Sequence, residues 1–230
     1  MVWTRGLKMK KRIVTMLIIF TLAISVTGCR LPFADNKKCN AVQELMDQLV
    51  TACEEEDYDK ASALFVNEED RKAIGSKKES DELKRKFKKN YGEAAIKYAE
   101  AYSKATKVLL DDAKTEVVYV NRNNQAVVRF EMVNGNDFID AFTELAQNIG
   151  STYQTSNAKA AYSMLIQCIE QAKSEINPNN RCVFVVPVKV EEIDGQYKIA
   201  ELNQKLKEQM KAYGLGLEEE IIQEIMENLH

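Results

Sequence analysis

The pattern of hydrophobic positions predicts helices in the first part of the chain. Between residues 40 and 56, apolar side chains recur every three or four positions, as on one face of an α-helix. A second helix is predicted over Lys60–Phe65 with Asp59 as its N-cap, and a short helical segment over Glu68–Ile74. The stripe of the first helix consists of Val42, Leu45, Leu49 and Cys53, widened by Met46 and Val50.

A basic segment and an aromatic stripe follow. Lys77–Lys89 holds seven basic residues against three acidic ones. Such a run is usually a solvated helix face, and the alternative is a surface for anionic lipid headgroups or anionic wall polymer. Aromatic residues then follow at helical spacing, interrupted at Gly92; a stripe of this kind is most often core, and the alternative is a ring-lined ligand cleft. The stripe consists of Phe87, Tyr91, Tyr98 and Tyr102, of which the last three are the candidate cleft residues.

Alternating residues predict an antiparallel hairpin in the middle of the chain. The β-branched run in Thr115–Asn121 predicts one strand, and Ala126–Val133 predicts the strand that returns after a polar turn. In the returning strand one face is apolar and the other is mixed, which is typical of a half-buried antiparallel sheet. The apolar face consists of Ala126, Val128, Phe130 and Met132.

The pattern then predicts a helical hairpin inserted between two pairs of strands. Its first helix begins at Asn136 or Asp137 and is expected to stop at Gly150, and its second helix covers about 157–176. After a turn, Cys182–Glu192 predicts a long strand.

Two features mark that long strand and its return. Pro187 indicates an edge position or a bulge within it. Asp194-Gly195 predicts a type I′ turn, after which Gln196–Glu201 returns as a strand. Closing helices are predicted over 203–213 and 217–229.

The N-terminal segment has the organisation of an export signal. A basic cluster precedes Ile13–Val26, a mostly apolar run of 14 residues. This run is shorter than the roughly 20 apolar residues that a spanning helix needs, and it matches the apolar region of a secretory signal. Translation from Met9 would give a more ordinary signal than translation from Met1. The basic cluster consists of Lys8, Lys10, Lys11 and Arg12.

The four residues that end this segment, Val26-Thr27-Gly28-Cys29, resemble the lipobox of bacterial lipoproteins. The resemblance implies that the Cys29 thiol receives a diacylglyceryl group and that signal peptidase cuts between Gly28 and Cys29. It also implies that the mature chain is held at the extracytoplasmic face of the cell membrane. The alternatives are an ordinary signal peptide with an incidental cysteine, or an uncleaved anchor.

The composition of the mature chain limits its partners. The predicted organisation is a signal peptide over 1–28, a tether over 29–39 and a single domain over 40–230. Residues 1–28 contain five basic residues and no acidic ones, which leaves 27 basic and 35 acidic residues, a net charge near −8. This charge argues against nucleic-acid binding, which needs a basic footprint.

Residues for catalysis or metal binding are sparse. The single histidine is His230, so a catalytic Ser-His-Asp or Cys-His arrangement and a histidine-based metal site are not predicted. The paired acids Asp111-Asp112 and Glu191-Glu192 could act in acid–base chemistry or bind Ca²⁺, but adjacent acids are usually solvated ends of elements. No cofactor is predicted. The cysteines after Cys29 are expected to be buried free thiols, with a Cys168–Cys182 disulfide as the alternative.

The order of elements resembles the cystatin-like or nuclear-transport-factor-2-like α+β fold found in bacterial lipoproteins. Two observations carry this resemblance: the opening helical pair from Val42 to Phe65, and the final hairpin Asp194-Gly195-Gln196-Tyr197-Lys198-Ile199, where Tyr197 replaces the tryptophan frequent in that family. The inserted helical hairpin departs from the minimal plan. The resemblance implies N-terminal helices packed on a curved antiparallel sheet of about four strands.

This fold hosts enzymes, binding modules and interaction domains, so it does not determine a function. The sequence favours a non-catalytic domain that binds a small ligand or an envelope protein. The alternative is an enzyme that uses tyrosine and carboxylate groups as acid and base in a cavity between the sheet and the helices.

Overall fold

In a computed structural model the chain is described over residues 36–152 and 157–228, all of which belong to one compact unit. Helices pack against a four-stranded antiparallel sheet, and the predicted α+β class is confirmed. The helices are α1 (Asn36–Glu54), α2 (Tyr58–Ala63), α3 (Glu68–Ile74), α4 (Lys77–Tyr91), α5 (Glu93–Lys107), α6 (Asn136–Thr152), α7 (Ala158–Lys173), α8 (Gln204–Ala212) and α9 (Leu217–Asn228).

The sheet has the strand order β1-β2-β3-β4, with every neighbouring pair antiparallel. A register shift between Val117 and Tyr119 marks an irregularity where β1 pairs with β2. The predicted type I′ turn joins the last two strands, because Asp194 and Gly195 both have positive φ, 51° and 78°. The strands are β1 (Lys114–Val120), β2 (Gln125–Val133), β3 (Arg181–Ile193) and β4 (Gln196–Ile199).

One face of the sheet forms the core together with α1 and α8. The four residues predicted as the apolar face of β2 are all buried. The same face continues into β3 through Val186, Val188 and Val190. The helices cover it with the α1 residues Val42, Leu45, Met46, Leu49 and Cys53 and the α8 residues Leu206 and Met210.

The remaining helices form two further clusters. In one, Phe87 of α4 packs with Ile96 of α5 and Ile222 of α9. In the other, the inserted hairpin α6–α7 packs against α5 through Phe138 and Ile169. The hairpin lies between β2 and β3 in the sequence and extends the helical layer.

Several predicted element boundaries are wrong, and three of them have a local explanation. The first helix begins at Asn36, four residues early, because Cys39 is buried and extends its apolar stripe. The second helix begins at Tyr58, because Asp57 and not Asp59 accepts the capping hydrogen bond from the Lys60 N–H. Helix α6 continues past Gly150 to Thr152; a single glycine costs a helix only about 1 kcal/mol relative to alanine.

Pro187 lies at an edge of the sheet, which was one of the two predicted alternatives, the other being a bulge. It pairs with Val127 of β2 on one side, while β4 pairs only with residues Val190 to Ile193 on the other side. The missing N–H of proline therefore removes no ladder hydrogen bond.

Candidate functional site

The predicted export and lipidation residues, including Gly28 and Cys29, lie outside the described residues. Across residues 36–152 and 157–228, no helix combines the length and the apolar character needed to cross a membrane. The candidate sites that the structure does place are the tyrosine stripe, the paired acids and the cysteines.

The tyrosine stripe lies within the helical layer. Tyr91, Tyr98 and Tyr102 are half-buried, and each packs against other aromatic rings. Ring centroids are separated by 4.9 Å for Phe87–Tyr91, 5.9 Å for Tyr98–Tyr162 and 5.6 Å for Tyr102–Phe138. Burial raises the pKa of Tyr98 to about 12, so its phenol stays protonated at neutral pH. The stripe therefore contributes to packing, and its use as a ligand cleft stays a prediction.

The paired acids do not converge on a site. Asp111-Asp112 lies at an exposed turn, where the carbonyl oxygen of Asp112 accepts a hydrogen bond from Arg181. Glu191 and Glu192 are both exposed near the end of β3 and, as neighbours in a strand, point to opposite faces. Among the residues that the structure describes, no group of three or more histidine, cysteine or acidic side chains is placed to hold a metal ion.

The four described cysteines are free thiols, as the sequence favoured over a Cys168–Cys182 bridge. Three are buried and Cys182 is half-buried. Burial, with a smaller effect of the Glu54 charge, raises the pKa of Cys53 to about 12. Because the thiolate is the reactive form, Cys53 is inert at neutral pH.

The site that the structure adds is a cleft between α4 and α9, which we call the α4–α9 cleft. Its volume is about 470 Å³, within the range of small-molecule sites. The end of α3 and one side of α8 complete its walls. Its lining residues include Tyr58, Glu79, Ser80, Lys86, Lys207 and Glu219.

Glu219, in the first turn of α9, holds the floor of this cleft together. Its Oε1 accepts a hydrogen bond from the Tyr58 hydroxyl at 2.7 Å and a very short one from the hydroxyl of Ser80. These residues come from α2, α4 and α9, so the carboxylate joins three helices. Tyr58 and Ser80 are both buried, which gives their hydroxyls little competing contact with water.

These contacts move the pKa values of the floor groups away from neutrality. Burial alone would raise the pKa of Glu219, but hydrogen bonds from Ser80, Tyr58 and its own N–H, and the charge of Lys84, hold it below its usual value. Burial, followed by the bond to Glu219, raises the pKa of Tyr58 well above its usual value. At neutral pH the floor therefore holds an ionised carboxylate and a protonated phenol.

Charged groups of both signs surround the floor. Burial would lower the pKa of Lys84, but the Glu218 carboxylate, 2.7 Å away, raises it. On the α8 side, Lys211 pairs with Glu220 at 2.8 Å. The exposed Lys86 and Lys207 also line the cleft, so a bound molecule meets both amino and carboxylate groups.

Sequence reasoning missed this cleft because its parts are far apart in the chain. Ser80 and Glu219 are separated by 139 positions, and Tyr58 and Glu219 by 161. One local signal was present: Ser80 stands at helical spacing with Leu83 and Phe87, so a polar residue interrupts the apolar stripe of α4. A polar side chain on a buried stripe needs a partner from elsewhere in the fold.

Comparisons with known proteins show little. No protein-family model matches the chain, and no curated protein matches its sequence. Among solved structures the chain matches the crystal structure of a "putative lipoprotein (ycdA)" from Bacillus subtilis, with 15% sequence identity and a TM-score of 0.34. The match covers 58% of this chain and 45% of the other, so the chain spans less than half of that protein. A TM-score at this level does not establish a shared fold.

Proposed function

We propose that the chain is an extracytoplasmic lipoprotein, anchored by a diacylglyceryl group at Cys29, whose domain binds a small polar ligand in the α4–α9 cleft without catalysing a reaction. The anchor is supported by the basic cluster, the 14-residue apolar run and Val26-Thr27-Gly28-Cys29, which stand in the order of a lipoprotein signal. The element order supports a cystatin-like or nuclear-transport-factor-2-like plan for the domain.

The state of Glu219 is the observation that favours binding over catalysis. A general acid or base works best with a pKa near the operating pH. In the cleft, the carboxylate of Glu219 has a lowered pKa and the phenol of Tyr58 a raised one, so neither exchanges protons readily near neutrality. A fixed carboxylate on the floor, with amino groups on the walls, suits a ligand that itself carries groups of both charges.

Photo-crosslinking tests this binding role. A photoreactive phenylalanine analogue in place of Lys207, which is exposed in the cleft wall, should give a discrete adduct mass after irradiation in native membranes. The matched control carries the same analogue at Lys159, an exposed lysine in the inserted hairpin. Identical adducts at both positions, or none at Lys207, would contradict a ligand site in the cleft.

A further inference from the structure

The two outer edges of the sheet are covered by other parts of the chain. At β1, the Gln43 side chain of α1 donates to the carbonyl oxygen of Thr115 at 2.8 Å and accepts from the N–H of Val117 at 2.7 Å. At β4, the N–H of Ile199 donates to the carbonyl oxygen of Leu64 at 2.8 Å, and the N–H of Val66 donates to the carbonyl oxygen of Ile199 at 2.9 Å. Both edges therefore have main-chain groups that are paired with other parts of the chain.

The N-terminal half of β3 is different, because β4 reaches only Val190 to Ile193. The N–H of Val190 donates to the carbonyl oxygen of Asn124, on the β2 side. The main-chain N–H and C=O groups of even-numbered residues in β3 therefore point toward β2, and those of odd-numbered residues point away from it. On the outer side Asn203 binds the carbonyl oxygen of Pro187. The outward N–H and C=O groups of Val183 and Val185 have no partner among the residues that the structure describes.

The side chains along this open edge are apolar on both faces of the sheet. Val183, Phe184 and Val185 are exposed by 48%, 42% and 50%. Natural proteins usually protect an open edge with charges, bulges or a covering segment, since it can pair with another chain. Here no charged residue stands between Arg181 and Lys189.

We propose that this edge pairs with the same edge of a second copy of the chain, antiparallel and about a two-fold axis at Phe184. In this register Val183 lies opposite Val185 of the second copy, Cys182 opposite Val186, and Phe184 opposite its own equivalent. Each apolar residue meets an apolar residue, so the edge is complementary to itself, as a two-fold interface requires.

Charge selects this register over its neighbours. Centring the pair on Val185 would place Arg181 opposite Lys189 at both ends, and like charges directly opposite each other destabilise a strand pair. Centring it on Val183 would leave Pro187 beyond the paired region and shorten the contact. With Phe184 at the centre, Arg181 lies opposite Pro187, and no like charges meet.

The pairing would join two sheets into one of eight strands. Val183 and Val185 of both copies would form about four main-chain hydrogen bonds, because residues opposite each other in a hydrogen-bonded pair exchange two. The two Phe184 rings would meet at a close, non-hydrogen-bonded position. An edge this short buries less than the ~800 Å² per partner of a stable interface, so the dimer dissociates and re-forms readily. A covalent crosslink is therefore needed to detect it.

Disulfide trapping in the full chain tests the proposal. In a Cys182→Ser background, Phe184→Cys places two thiols opposite each other at a spacing that a disulfide bridges. Mild oxidation of expressing cells should give about tenfold more disulfide-linked homodimer on non-reducing gels than Glu191→Cys, an exposed site where β4 covers the edge. The Cys182→Ser variant alone should give no disulfide-linked homodimer.

Main-chain pairing is tested by a further change on the same edge. Val185→Pro removes an outward N–H without touching the β2 ladder, and Val185→Lys adds a charge; each should abolish trapping at Phe184→Cys. The proposal is overturned if Phe184→Cys gives no more homodimer than Glu191→Cys, if both Val185 variants leave trapping unchanged, or if the thiol is captured by a different protein.

Discussion

At the scale of single residues, Glu219 is the group on which the α4–α9 cleft depends. It accepts hydrogen bonds from two buried hydroxyls, those of Tyr58 and Ser80. Losing the negative charge leaves those hydroxyls with a weaker acceptor, and losing the side chain removes the acceptor that they share. Buried donors without an acceptor are costly, so the residue matters for stability as well as for the cleft.

We predict that Glu219→Gln lowers the free energy of unfolding by about 1–2 kcal/mol at neutral pH, because hydrogen bonds to an ionised acceptor are stronger. The folded state lowers the pKa of Glu219, so its stabilising contribution is present above the ordinary carboxyl pKa and is lost as the pH falls through the folded value. The difference between wild type and variant should therefore shrink below about pH 4 in urea unfolding experiments.

Glu220→Gln is the matched control for this prediction. Glu220 lies in the same turn, is exposed, and pairs with Lys211 at the surface. Its substitution should leave stability within about 0.5 kcal/mol of wild type. Equal losses in the two variants, or a Glu219→Gln effect that grows as the pH falls, would contradict the role assigned to Glu219.

At the scale of elements, Asn203 connects a helix to the edge of the sheet. Its Oδ1 accepts from the N–H of Leu206 and caps α8, while its Nδ2 donates to the carbonyl oxygen of Pro187 at 2.7 Å. We predict that Asn203→Ala costs about 1–2 kcal/mol of stability because both contacts are lost.

The variant Asn203→Ser separates these two contacts. Serine can cap the helix but is too short to reach Pro187, so it should recover about half of the loss measured for alanine in thermal or urea unfolding. If serine and alanine are equally destabilising, the cap contributes nothing and the contact to the strand carries the whole effect.

Local sequence patterns predicted an element well where interactions between neighbouring residues determine its structure. The alternation in β2 and the Asp194-Gly195 turn depend on a few neighbouring residues, and both predictions are confirmed. The predicted boundaries of helices were wrong where tertiary packing determines the residue at which a helix begins. Asp57 and Asp59 are equally suited to cap α2, and it is the burial of Tyr58 that favours the earlier start.

At the scale of the whole molecule, the sequence predicted the class of fold but not the places where the fold brings distant residues together. The α4–α9 cleft needs side chains from α2, α4 and α9, and no local periodicity reports that meeting. The edge of β3 is open because β4 is too short to cover it, whereas Gln43 contacts the edge of β1. Only the assembled sheet shows this difference. Pro187 alone signalled that edge in the sequence.

For the whole molecule, we propose that the chain works as a lipid-anchored protein outside the cytoplasm. The most direct measurement is incorporation of labelled fatty acid into wild type and Cys29→Ser, followed by a carbonate wash of the membranes, with Cys182→Ser as the control for losing a thiol. We predict label and wash-resistant membrane association for wild type and Cys182→Ser, and neither for Cys29→Ser. A Cys29→Ser chain that still incorporates the label and stays with the washed membranes would contradict lipid anchoring at Cys29.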